Sequence, residues 1–444
     1  TMDDLYYKSV IKTFVKLYND GLIYRGTRMI NWDPVGQTAL SDEEVIHKEV
    51  NGHLWHFKYP IKDSYEFLTV ATTRPETMFG DSGVAVHPED ERYSHLVGKS
   101  IILPLVNREI PIFADTYVDK EFGTGCVKVT PAHDPNDLEM GKRNHLETIN
   151  IMQPNGELNE NVPQEFRGVD RLDARKLIVD ALDNLGLLEK IEDHIHQVGH
   201  SERTDAVVEP YMSKQWFVKM ESLTKEALIV VEKEEVKFYP ERWTKTYNHW
   251  LENIQDWCIS RQLIWGHQIP VWYCRGNDMD SCQIECKEPM VSIQKPDACA
   301  CGSTDLAQDP DVLDTWFSSW LWPFATLGWP KDETDVNKFY PTQDLVTGPD
   351  IIFFWVARMI MAGLYVKKEI PFSNVYFTGI VRDEQGRKMS KSLGNSPNPL
   401  DLIDKFGADA LRVGMLLMAP QGLDILFAED RIEQGRNFMN KLWN

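Results

Sequence analysis

The stretch from residue 344 to 420 limits the possible folds more than any other part of this chain. A short apolar strand, Leu345-Val346-Thr347, precedes a long apolar helix that begins at Asp350. A second strand pattern covers 375–381, and a helical pattern follows over 399–418. Strand, helix, strand and helix in that order predict an α/β unit with a parallel sheet, because parallel neighbours need a crossover between them. The second strand leads into the turn Gly386-Arg387-Lys388-Met389-Ser390-Lys391-Ser392-Leu393-Gly394. Two lysines and two serines on a glycine-flanked turn suit a polyphosphate whose negative charge grows as it leaves. A lysine, with its compact charge on a long stem, can follow such a group better than a rigid arginine fork. On charge patterning alone, the same turn also reads as a solvated basic loop.

Upstream the texture differs. Tyr7, Val10, Ile11, Phe14, Leu17 and Tyr18 fall at helical spacing, and Asn19-Asp20-Gly21 ends that helix. Leu22 to Gly26 is expected to turn toward a strand at Met29–Trp32. From about Val50 short strand patterns dominate, at 53–59, 66–71, 84–87, 101–105 and 125–130, with a helix at 174–187. Punctuated by Gly, Pro and Asp, these predict a compact β-rich unit reaching about His200. The segment 203–343 is mixed and carries a cysteine cluster.

At 444 residues the chain has room for roughly three domains. Hydrophobic content of 42% and 14 tryptophans predict globular cores. The formal charge of −21 argues against a uniformly basic nucleic-acid surface and leaves a local basic channel open. The start, Thr1-Met2-Asp3-Asp4, has no signal-peptide character and reads as that of a processed piece. The apolar run 351–366 contains Arg358 and is short for a span, so a buried helix and no membrane are expected. Five of the seven cysteines lie between 274 and 301, which is unlike a secreted disulfide framework. A cytosolic location is expected.

Seven segments at 17–45, 71–93, 128–143, 259–274, 311–330, 347–360 and 388–403 appear in a recognisable order. Together they resemble the valyl-tRNA synthetases, within the class I aminoacyl-tRNA synthetases. The strings PAHDPND (131–137) and GPDIIFFW (348–355) are similar to the valyl branch rather than the isoleucyl or leucyl branches. The resemblance implies the second half of a class I Rossmann-type parallel sheet with an inserted β-rich editing domain. Its boundaries would be 1–49 for the end of the first catalytic half and a connection, and 50–202 for editing. A Cys-rich connective region would cover 203–343, the second catalytic half 344–420, and the start of a helical tRNA-binding region 421–444.

The implied reaction is ATP- and Mg²⁺-dependent activation of valine and its transfer to tRNA(Val), with threonine as the edited competitor. An apolar pocket rejects an added hydroxyl only by about 10², a figure that comes from the valyl enzymes themselves rather than from this chain. A second pocket must therefore seek the hydroxyl. By resemblance, Arg74 and Lys128 supply cations beside ester and phosphate oxygens. Asp137 would hold the α-ammonium, and Thr72, Thr77 and Asp134 would bond the side-chain hydroxyl. Water is the expected nucleophile. Cys126 reads as core, and His133 as a base or a packing residue. Trp316, Ile351 and Trp355 would wall the valine pocket, although aromatics at helical spacing are also ordinary core. Gly348 and Asp350 would meet ATP together with Lys388, Met389 and Lys391, and Lys388, Ser390 and Lys391 would act on the leaving pyrophosphate.

Two departures from the family stand out. No Pro-x-x-x-x-His-Ile-Gly-His string occurs, so the chain is expected to lack aminoacylation as an internal piece while retaining editing. The cysteines do not form paired Cys-x-x-Cys knuckles, yet Cys274, Cys286, Cys299 and Cys301 remain candidate Zn²⁺ ligands. A monomer is expected. The competing readings are an isoleucyl-type synthetase and a catalytically inert tRNA-binding module. A plain nucleotide-binding kinase is poorly supported, because no Gly-x-x-x-x-Gly-Lys-[Ser/Thr] loop occurs.

Overall fold

The computed structural model describes residues 1–275, 289–389, 393–420 and 422–444. Ser390 and Lys391 of the basic turn, and Cys282 and Cys286, lie outside them.

The chain opens with the helix Asp4–Asn19, capped by Asp3, whose Oδ1 accepts from the N–H of Leu5 and Tyr6 at 2.8 and 3.0 Å. Val10, Phe14 and Leu17 are fully buried. Tyr6 rather than Tyr7 completes the inward stripe and donates from its hydroxyl to Ser318 O. The expected turn over 22–26 is not a turn. The strand Ile23–Asp33 runs straight through it, because its partner Glu209–Val218 pairs with it from Ile23↔Val218 to Trp32↔Glu209. With Trp257–Cys258 and Thr38–Leu40 these strands form an antiparallel sheet.

This pairing brings the two chain crossings of the β-rich unit side by side. Beyond it, Val45–Pro60 pairs antiparallel with Leu188–Ser201, starting at Val45↔Ser201. Phe67–Thr72 joins that ladder. A second sheet orders Ser100–Leu103, Arg108–Ala114, Gly83–Val86 and Cys126–Val129 side by side. The helices Pro135–Arg143 and Arg171–Asn184 pack with these sheets, the second starting three residues before the predicted 174. The core is separate from that of the rest of the chain and is built from Phe57, Val70, Phe79, Val84, Ile101 and Ile178 among others.

The α/β expectation for the later half is met. Lys237–Tyr239, Phe372–Phe377 and Thr342–Thr347 form a sheet in which both pairings are parallel. The crossover between the last two strands holds the apolar helix over 349–367, with π turns at Ile352–Val356 and Gly363–Lys367 around the α segment Ala357–Ala362. By length and composition that helix could cross a membrane, but its middle, 356–363, is buried in the main core. Arg358 is buried there too. Its guanidinium carbon lies 4.2 Å from the Trp257 ring centroid, and Nη2 is 3.8 Å from Glu43.

The continuous helix expected over 399–418 is two helices, Pro399–Phe406 and Ala408–Met418, broken at Gly407 with φ +92°. The helix Glu429–Trp443 packs on the second of them.

Candidate functional site

The β-rich unit gathers most of the candidate residues into one polar nest. Cys126–Val129 and the turn after it carry Lys128, Thr130, His133 and Asp134. The 3₁₀ turn Pro75–Gly80 carries Thr77 beneath Arg74. Asp137 sits in the first turn of Pro135–Arg143, behind the cap residue Asp134.

Lys128 is buried and saturated. Its Nζ donates to Thr77 Oγ1 at 2.8 Å, Thr130 Oγ1 at 2.7 Å and Asp81 Oδ1 at 3.0 Å. Asp81 also accepts from Tyr59 OH at 2.8 Å and Thr130 Oγ1 at 2.6 Å. Buried charge is tolerable only in such fully bonded company. Lys128 therefore has a structural partner set that the sequence reading, which placed it beside substrate oxygens, did not include. Arg74 is engaged as well. It donates to His133 O at 2.7 Å and to Glu76 at 3.3 Å, and it pairs with Glu209.

Among the hydroxyls, Thr77 donates to Arg74 O at 3.0 Å while accepting from Lys128. Thr72 Oγ1 accepts from Arg74 N–H at 3.0 Å and keeps its own proton to give. Asp134 spends Oδ1 on the N–H groups of Asn136 and Asp137, at 2.8 and 3.1 Å. Asp137 Oδ2 accepts from Thr130 N–H at 2.8 Å. Burial, then the neighbouring Asp134 charge, push the Asp137 carboxyl up to about 7.

His133 is not a base in this arrangement. Burial, then the cations Arg74 and Lys128, hold it down at about 3, and Nε2 accepts from Ile151 N–H at 3.0 Å. The proton is thereby assigned to Nδ1. Cys126 is core, its thiol pushed up to about 12 chiefly by burial. Sequence reasoning missed Asp81, Tyr59, Glu76 and Glu209. The first three sit in or beside segments that read as strand or turn. Only tertiary contact reveals their role.

The second group of candidates lies in the α/β half. Gly348 precedes the 3₁₀ turn Pro349–Ile351, which carries Asp350. A Cβ on Gly348 would fall 2.5 Å from Asp350 Oδ1, so the Asp350 side chain lies directly over this glycine. Trp316 is stacked on Phe354, centroids 5.1 Å apart, and Trp355 Nε1 donates to Ser319 O at 2.9 Å. The two tryptophans are half-buried at the edge of the main core. Lys388 and Met389 follow a turn organised by Asp383, which accepts from Arg387 N–H and Nε at 2.8 Å each and from Asn395 Nδ2 at 2.9 Å. The Asn395 bond, set against burial and aided by Arg387, brings Asp383 down to about 2. Asp383 was not among the expected residues, although Asp-x-x-Gly is a readable turn signal.

Three of the four candidate metal ligands meet. The sulfurs of Cys274, Cys299 and Cys301 lie within 4.8 Å of one another, with Cys274 Sγ and Cys301 Sγ 3.7 Å apart. Four thiolates about 2.3 Å from a tetrahedral ion would sit ~3.8 Å apart, so the donor set fits zinc. The Cys-x-Cys spacing works because Gly302, at φ +84°, folds the loop back so that Cys299 N–H donates to Ser303 O.

A cavity of about 970 Å³ opens between the antiparallel sheet, the helix Pro135–Arg143 and the helix Trp243–Glu252. Arg28, Leu138, Trp250 and Phe353 line it, and none of the candidate residues among the described ones does.

A family model for tRNA synthetases class I (I, L, M and V) matches residues 1–428. The chain belongs to the class I tRNA synthetases. Valine–tRNA ligases from Clostridium tetani and Bdellovibrio bacteriovorus are 58% and 57% identical over all of this class I synthetase chain and 49% of their own. The Bacillus subtilis valine–tRNA ligase is 56% identical with the same coverage. The chain thus spans about half the length of the curated relatives it matches. A LeuRS–tRNA–LeuAMS complex from Agrobacterium radiobacter K84 aligns with 99% of the chain and 60% of its own, at 20% identity and a TM-score of 0.46.

Proposed function

We propose that this class I synthetase chain is the central part of a valine–tRNA ligase, and that its β-rich insertion hydrolyses threonyl-tRNA(Val). The identity of 55–58% to valine–tRNA ligases supports the amino-acid assignment. The observation that carries the hydrolytic reading is the buried nest around Lys128, tied through Thr77, Arg74 and Thr130 to Thr72, Asp134 and Asp137.

In this reading Asp137 accepts the substrate's α-ammonium, and the pairing favours its ionised form. The outer oxygen of Asp134 and the O–H of Thr72 bond the threonine hydroxyl, which valine lacks. Valyl-tRNA leaves those groups unsatisfied, and buried polar groups without partners cost ~1–3 kcal/mol each. Arg74 braces the terminal nucleotide of the tRNA. A water, held between these groups and the ester, is the nucleophile, since no nucleophilic side chain is activated here. Lys128 acts indirectly by ordering Thr77 and Thr130.

In the synthetic half, Trp316, Ile351 and Trp355 form the valine wall. Gly348, Asp350, Lys388 and Met389, with Ser390 and Lys391, would hold ATP. Mg²⁺ would supply charge neutralisation of the phosphates when bound. Cys274, Cys299 and Cys301 would hold Zn²⁺ with a fourth ligand, for which Cys286 is the candidate. In this reading the 444 residues deacylate threonyl-tRNA(Val), while adenylate formation would need the histidines of the Pro-x-x-x-x-His-Ile-Gly-His string, which is not among them.

The test is single-turnover hydrolysis of threonyl-tRNA(Val) and valyl-tRNA(Val) by this chain, with Asp137→Ala alongside. Selective loss of the threonyl ester, abolished by the substitution, is expected. Equal rates on both esters would overturn the assignment. Valine-dependent ATP–pyrophosphate exchange is expected to stay at background.

A further inference from the structure

Glu209 lies outside the insertion, yet it reaches into its site. It opens the strand Glu209–Val218, which brings the chain back into the antiparallel sheet opposite Trp32. Its carboxylate is only 4% exposed and is shared between two arginines of the insertion. Oε1 accepts from Arg171 Nε at 2.6 Å, and Oε2 accepts from Arg74 Nη2. Arg171 begins the helix Arg171–Asn184, and its Nη2 donates to Val207 O at 3.2 Å on the same returning segment.

The other partners of Arg74 move with the insertion. Its Nη1 donates to His133 O, and its Nε donates to Glu76, which Arg175 holds from the far side at 2.8 and 2.9 Å. A guanidinium has five N–H donors in a rigid plane, so acceptors on three of its nitrogens set both the plane and the direction of the two that remain. One of those three acceptors comes from the connecting strand. We infer that Glu209 is a positioning residue for deacylation, aiming Arg74 from outside the insertion so that the site is complete only when the insertion is seated on its connecting strands. This rests on the hydrolytic reading above.

A merely stabilising ion pair would lower the melting temperature and leave the kinetics alone. In steady-state hydrolysis of threonyl-tRNA by the whole chain, well below its melting temperature, Glu209→Gln is expected to raise KM about tenfold with kcat within about twofold. Arg171→Gln breaks the other arm and should cost stability without moving KM. Adding Glu209→Gln to Arg74→Ala should cause no further loss, and Glu209→Asp, which keeps the charge, should recover part of the effect. Unchanged kinetics in folded Glu209→Gln, or losses that add, would overturn the inference. The Arg74 Nε–H resonance in a ¹⁵N-arginine chain, assigned with Arg74→Lys, gives a readout that does not need turnover. It should shift in Glu209→Gln and stay put in Arg171→Gln; an unmoved signal in both refutes the positioning. Inertness of the wild-type chain with a shifted resonance would instead sink the hydrolytic reading alone.

Discussion

The buried carboxyl of Asp137 makes the clearest prediction at the scale of single residues. Its ordinary value of 3.8 is raised to about 7 in the fold, chiefly by burial. Folding therefore favours its protonated form. The stability it contributes is complete below about pH 4 and is lost as pH rises through about 7, ~4 kcal/mol at most by linkage. Chemical denaturation of the wild type and of Asp137→Asn across pH 4–8 should show this extra downward slope in the wild type only. The Lys128–Asp81 pair predicts a second effect. Lys128→Met leaves Asp81 charged among donors that no longer balance it, and should destabilise the insertion by ~3 kcal/mol. Lys128→Met with Asp81→Asn should recover much of that loss in the same unfolding experiment. Arg74, Lys128, Asp134 and Asp137 were expected from residue type and family pattern, and the fold brings them into one neighbourhood. Their partners Asp81, Tyr59 and Glu209 were not expected, because a single polar residue at a turn or in a strand carries no mark of what it will meet.

Between elements, legibility followed burial. The strands at 66–71, 84–87, 101–105 and 125–130 appear with ends shifted by one or two residues, each burying apolar side chains, whereas 53–59 is only the inner part of the longer strand Val45–Pro60. Leu188–Ser201 escaped notice. It lies half-exposed along Val45–Pro60, and its pattern of Glu, Lys, Asp and His shows no clean apolar face. Gly407 was legible as a helix terminator but was read through, because the apolar spacing resumes at Ala410. The last helices meet across glycine. A Cβ on Gly435 would sit 2.5 Å from Ala410 O and 2.8 Å from Gly414 N. Gly435→Ala should force the helices Ala408–Met418 and Glu429–Trp443 apart and cost ~1–3 kcal/mol in thermal unfolding, an overpacking penalty.

For the molecule as a whole, the insertion is joined to the rest through two antiparallel crossings, and the salt links at Glu209 and the donation from Trp32 Nε1 to Pro154 O at 2.7 Å fix it against them. The cysteine cluster adds a test at this scale. If Cys274, Cys299 and Cys301 hold zinc, the purified chain contains about one equivalent, and Cys299→Ser removes it and lowers the melting temperature. Elemental analysis beside calorimetry decides this; metal-free wild type of unchanged stability would refute the site. Residue order alone dictated the parallel α/β unit, the β-rich insertion and the family, because periodicity and ordered motifs are local properties that survive in one dimension. Which carboxylate neutralises which cation, which histidine nitrogen is occupied, and how three cysteines of irregular spacing converge were decided only by folding. Those outcomes depend on distances between residues far apart in the chain, and no local pattern encodes a distance.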